Sequence, residues 1–358
     1  MSVASASRRA LVATVATLTL GVAPAVAPAA AVADRPEQRA ENFLAGEVRN
    51  KRIPNAFGRG ADWGLTVDTI YLLAATGGKP RLVRRMGRVL ADNASKYTTS
   101  VFGEAVYRSA GATAKVLIAA DVLDKSVRDF GGVNYRKRLA SFIRPSGRLS
   151  DRNSDGSDYS SSLTQALGVI AFSRSGTAPR RVVNLLLEQQ CRAGYFTQAI
   201  SRGSTCNEAG GTPSIDSTAY AVQAMLAAKK QGDARVPATR IDRAVRWLVR
   251  VQADNGSFSS DRNITTRNAN STGLAAVALA DAGRDRAVRK ARAFMRSLQV
   301  TRANAGEARS VIGAVAYDRA ALRDARRNGV SNRDQFRRAT AQGAFAFAPK
   351  PLRTLSVR

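Results

Sequence analysis

The sequence predicts an all-α protein built from a repeated pair of helices, and three observations support this. Amphipathic segments alternate with segments that carry almost no charge, whereas strand-like alternation of apolar and polar residues is sparse. The pairs recur about every fifty residues, with glycines near the expected helix ends. Such pairs bury their apolar faces only by stacking on neighbouring pairs, so we expect one continuous array.

One repeat shows the two kinds of helix. Ile241, Val245 and Leu248 share one face of a segment whose other face carries arginines, which is typical of an outer helix. Residues 271–279 carry no charge, which is typical of a buried inner helix. The predicted inner helices begin near six positions: Asp62, Arg108, Asp158, Asp216, Asn270 and Glu307.

Residues 1–33 are predicted to be a secretory signal. Arg8 and Arg9 precede the apolar stretch 11–26, and small residues at 31–33 form a cleavage pattern before Asp34. We therefore expect a secreted chain that is cleaved after Ala33. The paired arginines leave twin-arginine export open beside the general route. No later apolar run is long enough to predict a membrane span.

The composition limits the chemistry. The chain has no histidine, which excludes Ser-His-Asp and Cys-His nucleophile systems and histidine-ligated metals. Lysine and arginine number 56 against 27 acidic residues, a formal net charge of +29. This charge favours anionic partners such as a cell-wall polymer, although expected export disfavours nucleic acid. Because the basic residues are scattered along the chain, decoration of the outer helices is the simpler interpretation.

The two cysteines are predicted to pair. Cys191 and Cys206 lie in a loop-like stretch of a chain that we expect to be exported, where disulfides persist. Two thiolates without further suitable ligands do not predict a metal site.

The segment from Arg243 to Phe258 resembles the QW-type repeat of squalene cyclases and protein prenyltransferases, in which an outer helix ends in Gln and is followed by Gly and an aromatic residue. A degenerate copy spans 189–196, with weaker copies at 294–299 and 146–149. The resemblance implies an (α/α)6 toroid, with six parallel inner helices around a cavity. It implies packing roles for Gln252 and Phe258.

The resemblance divides the mature chain into two parts. The toroid is expected to occupy residues 34–320, and residues 321–358 are expected to form a basic helix and tail that pack on it or extend from it.

The catalytic motifs of these relatives are absent from the chain. The Asp-x-Asp-Asp run of protonating cyclases does not occur, and prenyltransferase zinc sites need a histidine. Residues 151–158 space oxygen donors as calcium loops do, but they lack the downstream glutamate, so a solvated turn is favoured. We expect no cofactor and no metal site.

Two sets of residues are candidates for a ligand site at the cavity. Aromatic residues on the predicted inner helices can line a pocket, or they can be part of the core: Trp63, Tyr71, Tyr159 and Tyr220. Polar residues at the predicted helix starts can form a shared site, or they can be N-caps: Asp62, Asp158, Asp216 and Asn270.

Two classes of function follow from these candidates. The first is non-catalytic binding of a small-molecule, prenyl, glycan or polymeric ligand at the cavity or its mouth, because the resemblance extends to the toroids of cobalamin carriers. The second is a degenerate terpene cyclase or prenyltransferase, or a carbohydrate-active enzyme that uses carboxylate or tyrosine chemistry.

Overall fold

The computed structural model describes residues 35–200, 206, 211–261 and 263–357. The predicted signal at 1–33 lies outside the described residues.

Six inner helices form a closed ring in the described chain. Each packs against the next along the ring, and the last packs against the first. Most of their residues are buried, as their low charge predicts. The inner helices are α2 (Trp63–Thr76), α4 (Ala110–Val122), α6 (Ser162–Arg174), α8 (Ile215–Lys230), α10 (Ala269–Asp281) and α13 (Arg333–Gly343).

The outer layer is made of amphipathic helices that pack against the inner ones. Its members are α1 (Pro36–Glu47), α3 (Pro80–Thr98), α5 (Tyr135–Ala140), α7 (Arg180–Glu188), α9 (Ala238–Val251) and α11 (Asp285–Leu298). The additional helix α12 (Arg319–Asn328) precedes α13, and short 3₁₀ turns lie at Ala308–Val311 and Ala344–Ala346. Strand in the described residues is limited to two short antiparallel pairs, β1 (Thr99–Phe102) with β2 (Ala105–Arg108) and β3 (Phe196–Thr197) with β4 (Pro213–Ser214). The described chain is therefore the predicted all-α (α/α)6 toroid.

A threonine in four of the inner helices joins the helix to a loop that precedes it in the chain. The Thr218 hydroxyl accepts from the Phe196 amide at 2.9 Å and donates to the Ser214 carbonyl. Thr272 forms the same two bonds with Phe258 and Asn268. Thr66 and Thr340 repeat the pattern, and in α6 the side chain of Gln165 accepts from the loop instead. These bonds fix the register of each repeat.

The glutamines of the QW-like segments connect successive repeats, as predicted. The Gln252 side chain donates to the carbonyl of Gly256 in its own turn and to that of Ala287 in the next outer helix. Gly256 has a φ of +86°, and a Cβ there would lie 2.2 Å from the Lys290 carbonyl oxygen. Only glycine fits this approach. Phe258 is fully buried beneath the turn.

The ring is closed by polar contacts between its first and last parts. Gln299 donates to the Pro36 carbonyl at 2.8 Å and so joins the end of α11 to the start of α1. Glu47 at the end of α1 is buried and forms ion pairs with Arg333 and Arg337 of α13. A further ion pair joins Arg338 of α13 to Asp62 before α2.

The last inner helix differs from the prediction. Glu307 precedes the 3₁₀ turn Ala308–Val311 and not a ring helix. The sixth ring helix is α13, which lies within the segment 321–358.

Residues 348–357 lie across the ends at which the inner helices terminate. The Val357 amide donates to the carbonyl of Val122 at the end of α4. Arg174 at the end of α6 donates to the tail carbonyl of Leu355. Arg353 forms a two-pronged ion pair with the buried Asp281 at the end of α10. The tail therefore covers this end of the ring.

Two further expectations can be compared with the structure. The Cys191–Cys206 disulfide is present, with a Cα–Cα distance of 5.4 Å, which confirms the predicted pairing. Exposed arginines occupy the outward faces of several outer-layer helices, as the surface interpretation predicts: Arg81, Arg84, Arg85, Arg88, Arg246, Arg250, Arg286, Arg289, Arg296, Arg323, Arg326 and Arg327. No helix among the described residues is both long and apolar enough to span a bilayer.

Candidate functional site

The N-terminal ends of the inner helices lie together at one mouth of the ring. The first backbone amide of α8, from Ile215, donates to the Ser260 carbonyl in the loop before α10. The first amide of α10, from Ala269, donates to the Tyr317 carbonyl in the loop before α13. Equivalent bonds start α4 and α6. Four of the six helix starts, those of α4, α6, α8 and α10, are therefore tied to the next loop around the mouth.

These bonds also use the amides that would attract an anion. In α8 the Ile215 amide is bonded to the next loop and the Ser217 amide donates to the N-cap Ser214. In α10 the Ser271 amide donates to the N-cap Asn268 at 2.9 Å. With two first-turn donors occupied in each helix, these two helix ends are poor sites for an anion.

The helix starts at three of the candidates differ from the prediction. α6 begins at Ser162, after Asp158, because Ser161 forms a capping box with Thr164. Asp216 and Asn270 are not N-caps, since Ser214 and Asn268 hold those positions.

Asp62 is an N-cap, as predicted, and its Oδ1 accepts from the Leu65 amide at 2.8 Å. The repeat thus makes Asp62 equivalent to Ser214 and Asn268.

Asp216 lies in the first turn of α8 with one carboxylate oxygen unsatisfied. Its Oδ1 is buried and has no hydrogen-bond partner among the described residues. Burial raises the pKa of Asp216 to about 6, the nearby charge of Asp261 adds to the rise, and a hydrogen bond from Ser271 opposes it. A buried acceptor without a donor is costly, and such groups mark sites that a ligand completes.

Asn270 repeats this feature on the next inner helix. It occupies the position in α10 that Asp216 occupies in α8, and its Oδ1 is also buried without a partner among the described residues. The neighbouring Tyr317 has a raised pKa, because of burial and the charges of Asp318 and Asp216, and its hydroxyl therefore stays protonated. Two unsatisfied acceptors thus occur at equivalent positions of adjacent helices.

A second polar group lies one helical turn deeper in the ring. Lys115 of α4 and Asp68 of α2 form an ion pair of 2.5 Å. Burial acts to lower the pKa of Lys115, but the charge and hydrogen bond of Asp68 together with Tyr97 and Tyr220 outweigh it, so the pKa is raised and the ammonium stays charged. The Gln342 amide donates to Asp68 at 3.4 Å. Tyr220 lies one turn below Asp216; burial and the charge of Asp68 raise its pKa, which keeps the hydroxyl protonated.

The deepest part of the cavity is bounded by the C-terminal tail. A small cavity of about 30 Å³ lies among residues of α2, α8, α10, α13 and the tail. Its polar lining includes Asp68, Tyr220, Gln223 and Lys350, and Leu352 enters from the tail. The cavity thus has polar groups at its wall and a closed lower end.

The remaining predicted candidates lie in different surroundings. Tyr71 is buried at the cavity, and its hydroxyl donates to the Lys115 carbonyl at 2.6 Å. Trp63 is partly buried and packs against the core. Tyr159, predicted on an inner helix, lies in the loop before α6 and is 73% exposed. Its neighbour Asp158 pairs with Arg148 at 3.2 Å. The structure therefore brings Tyr71, Tyr220 and Asp216 to the ring interior and leaves Asp158 and Tyr159 outside it.

The sequence analysis missed Asp68, Lys115 and Gln342. A usable signal was present, because Asp68 and Lys115 are isolated charges within otherwise apolar inner helices. A charge at such a position is costly unless it is paired or faces a polar cavity.

The segment 151–158 uses its oxygens within the fold. Asp151 Oδ1 accepts from the Ala110 amide, and Asp158 Oδ1 accepts from the amides of Asp151 and Ser160. Asp155 accepts from Ser157. These bonds support the predicted turn.

Comparisons with solved structures place the fold among α/α toroids. The chain is similar to unsaturated glucuronyl hydrolase from Bacillus sp. GL1, with 12% identity over 89% of this chain and 97% of that one, and a TM-score of 0.52. It is similar to the type II terpene cyclase MstE from Scytonema, with 15% identity over 87% and 96% and a TM-score of 0.56. Haptocorrin in complex with Cbi matches with 14% identity over 90% and 68% and a TM-score of 0.51.

Comparisons with protein-family models and with curated proteins gave no match. The similarity to solved structures therefore establishes the toroid fold and leaves the function to be argued from the site.

Proposed function

We propose that this protein binds a hydroxyl-bearing small molecule, or the end of a polymer, in the ring cavity without transforming it. The ligand enters at the mouth formed by the inner-helix starts, because the tail covers the opposite end. The observation that carries the proposal is the pair of buried, unsatisfied oxygens of Asp216 and Asn270. Both need a hydrogen-bond donor, and ligand hydroxyl groups supply one.

The surroundings of this pair support a bound ligand. Tyr220 lies one helical turn below Asp216 and stays protonated, so its hydroxyl can donate to a ligand in the ring. The similar toroids support it too, because the names of the matched structures include a glucuronyl hydrolase, a terpene cyclase with its substrate and haptocorrin with Cbi. The disulfide and the predicted signal support action outside the cell.

One observation favours catalysis as a second candidate. A carboxyl with a pKa of about 6 is poised to give or take a proton near neutral pH. Asp216 would then act as the acid toward a ligand held in the cavity. An enzyme of this kind would need no histidine.

A binding and turnover screen with three proteins separates the two candidates. Neutral and anionic glycans, prenyl diphosphates and corrinoids are tested with the wild type, Asp216→Ala and Asp216→Asn. If the protein only binds its ligand, Asp216→Ala should weaken ligand affinity by about tenfold or more, whereas Asp216→Asn keeps an acceptor and should change affinity less. If Asp216 is a catalytic acid, Asp216→Asn should lower turnover by about a hundredfold or more, and ligand binding should persist.

A first-turn carboxylate of an outer helix is the control for ligand binding. Asp285 is exposed in the first turn of α11, which follows the end of α10 and not the mouth of the ring. Asp285→Asn should match the wild type with every ligand. If Asp216→Ala, Asp216→Asn and Asp285→Asn behave alike toward every ligand that binds, Asp216 is not part of the site and the proposal is wrong. Asp318 caps α12 through the Ala321 amide, so Asp318→Asn is the cap control for stability.

A further inference from the structure

An open groove lies beside the β-ribbon formed by β1 and β2, and its charge indicates a second binding site. It is lined by α5, by the end of α3 and by the start of β1, together with Arg108 of β2 and Arg152, and it holds about 940 Å³ of space. The lining carries four positive side chains, Arg108, Lys137, Arg138 and Arg152, and includes no carboxylate.

Other surface grooves of this ring are electrically mixed. The groove along the start of α11 includes Asp285 among its basic residues. The groove between α3 and the end of α4 includes Asp124 and Asp129. The high positive charge of the chain therefore does not by itself explain why the lining of this groove contains no acidic residue.

The four cations are uncompensated and partly held in place. None of them forms an ion pair with a carboxylate in the described chain. Arg152 donates through Nε to the Ser141 carbonyl at 2.7 Å, which leaves its two terminal nitrogens for a partner. Arg138 donates one nitrogen to the Thr98 hydroxyl at 3.2 Å and stacks on the Tyr135 ring. Fixed guanidinium groups bind anions with less loss of entropy.

Asp155, an acid beside the ribbon, lies on its other face. Asp155 interacts with the Tyr107 hydroxyl. Tyr107 and Arg108 are consecutive in β2, so their side chains point to opposite faces of the ribbon. Asp155 therefore does not pair with the groove cation Arg108.

From this charge and this lining we infer that the groove binds a linear anionic polysaccharide. Four cations in one groove match a chain with repeated carboxylate or sulfate groups. Single-stranded nucleic acid needs exposed aromatic rings for base stacking, and the aromatic residue of this lining, Phe142, is buried. The inference is independent of the cavity ligand, because the groove shares no residue with Asp216 or its neighbours.

The test compares two double variants with the same loss of charge. Arg108→Gln/Lys137→Gln removes two groove cations whose side chains are exposed. Arg85→Gln/Arg246→Gln removes two exposed cations from α3 and α9 and serves as the matched control. Affinity for a heparin oligosaccharide of defined length is measured over a range of salt concentrations, with neutral dextran and a single-stranded oligonucleotide as comparison ligands.

We expect the groove variant to bind heparin about tenfold more weakly and to lower the salt slope by about two, because two charge contacts are lost. The control variant keeps the groove intact, so its affinity for heparin should change by less than about twofold. Dextran should not bind. Equal losses in both double variants would show non-specific attraction and overturn the inference. Tighter binding of the oligonucleotide, lost in the groove variant, would overturn the assignment to a polysaccharide. Thermal unfolding of both variants checks that the fold is intact.

Discussion

Asp216→Asn should stabilise the protein at neutral pH, because the wild-type carboxylate is ionised there in surroundings that oppose its charge. A pKa of about 6 in the folded chain against an ordinary 3.8 corresponds to about 3 kcal/mol of unfavourable free energy. A negative charge in the first turn of α8 is favoured by the helix dipole by about 0.5 kcal/mol, which the variant loses. A net gain of about 2 kcal/mol remains.

The sign of the pH dependence is fixed by the raised pKa. Between pH 3.8 and about 6 the folded wild type binds more protons at Asp216 than the unfolded chain does. Wild-type stability from this residue therefore falls as the pH rises through that window and stays reduced above it. Asparagine has no such charge, so the free energy of unfolding of Asp216→Asn should exceed that of the wild type by about 2 kcal/mol at pH 7.5 and by almost nothing near pH 4.

Denaturant unfolding of the wild type, Asp216→Asn and the cap control Asp318→Asn at these two pH values measures the difference. The control should follow the wild type at both, because Asn caps a helix about as well as Asp. A destabilised Asp216→Asn at pH 7.5, or an advantage that persists unchanged at pH 4, would refute the reasoning.

Three further predictions concern the frame of the ring. Glu47→Gln should cost about 2–3 kcal/mol at pH 7. Although burial opposes it, hydrogen bonds from two arginines lower the Glu47 pKa below its ordinary value of 4.5, so this contribution should be lost as the pH falls below 4.5 and through the lowered pKa. Glu37→Gln removes a partly exposed carboxylate that pairs with the exposed Arg35 and should change stability by less than about 0.5 kcal/mol. Gly256→Ala should lower the free energy of unfolding by about 2 kcal/mol more than Gly232→Ala does. Both glycines have a positive φ, but only at Gly256 would the added Cβ meet a backbone oxygen. Equal losses in the two variants would contradict the close approach. Reduction of the disulfide should lower the free energy of unfolding by about 3 kcal/mol, and an unchanged value would show that the bond does not stabilise the fold.

The repeat architecture could be predicted from the sequence because it depends on local patterns. Alternating charged and uncharged segments indicate outer and inner helices, and the Gln252 segment indicates how repeats are joined. The sixth ring helix was placed too early, because α13 carries polar residues such as Arg338 and Gln342 and lacks the uncharged character of its counterparts. Its charges pair across the closure with Asp62 and Glu47, which only the assembled ring brings near.

The candidate site was predictable only in part. Asp216 and Asn270 were identified from their place at helix starts, but the register was wrong by two residues, because the true caps are Ser214 and Asn268. The register matters, since a cap oxygen is satisfied by its own helix and a first-turn oxygen is not. The Asp68–Lys115 pair joins two helices far apart in the sequence, and no local pattern specifies such a contact.

The most direct test of the cavity proposal is a crystal structure, at neutral pH, of the protein purified from the cells that naturally make it or from their medium. We expect density for a bound molecule with a donor within hydrogen-bond distance of the Asp216 Oδ1 atom and of Asn270 Oδ1, between α8 and α10. A cavity in which protein groups satisfy both oxygens, with no space for a ligand at that position, would contradict the account.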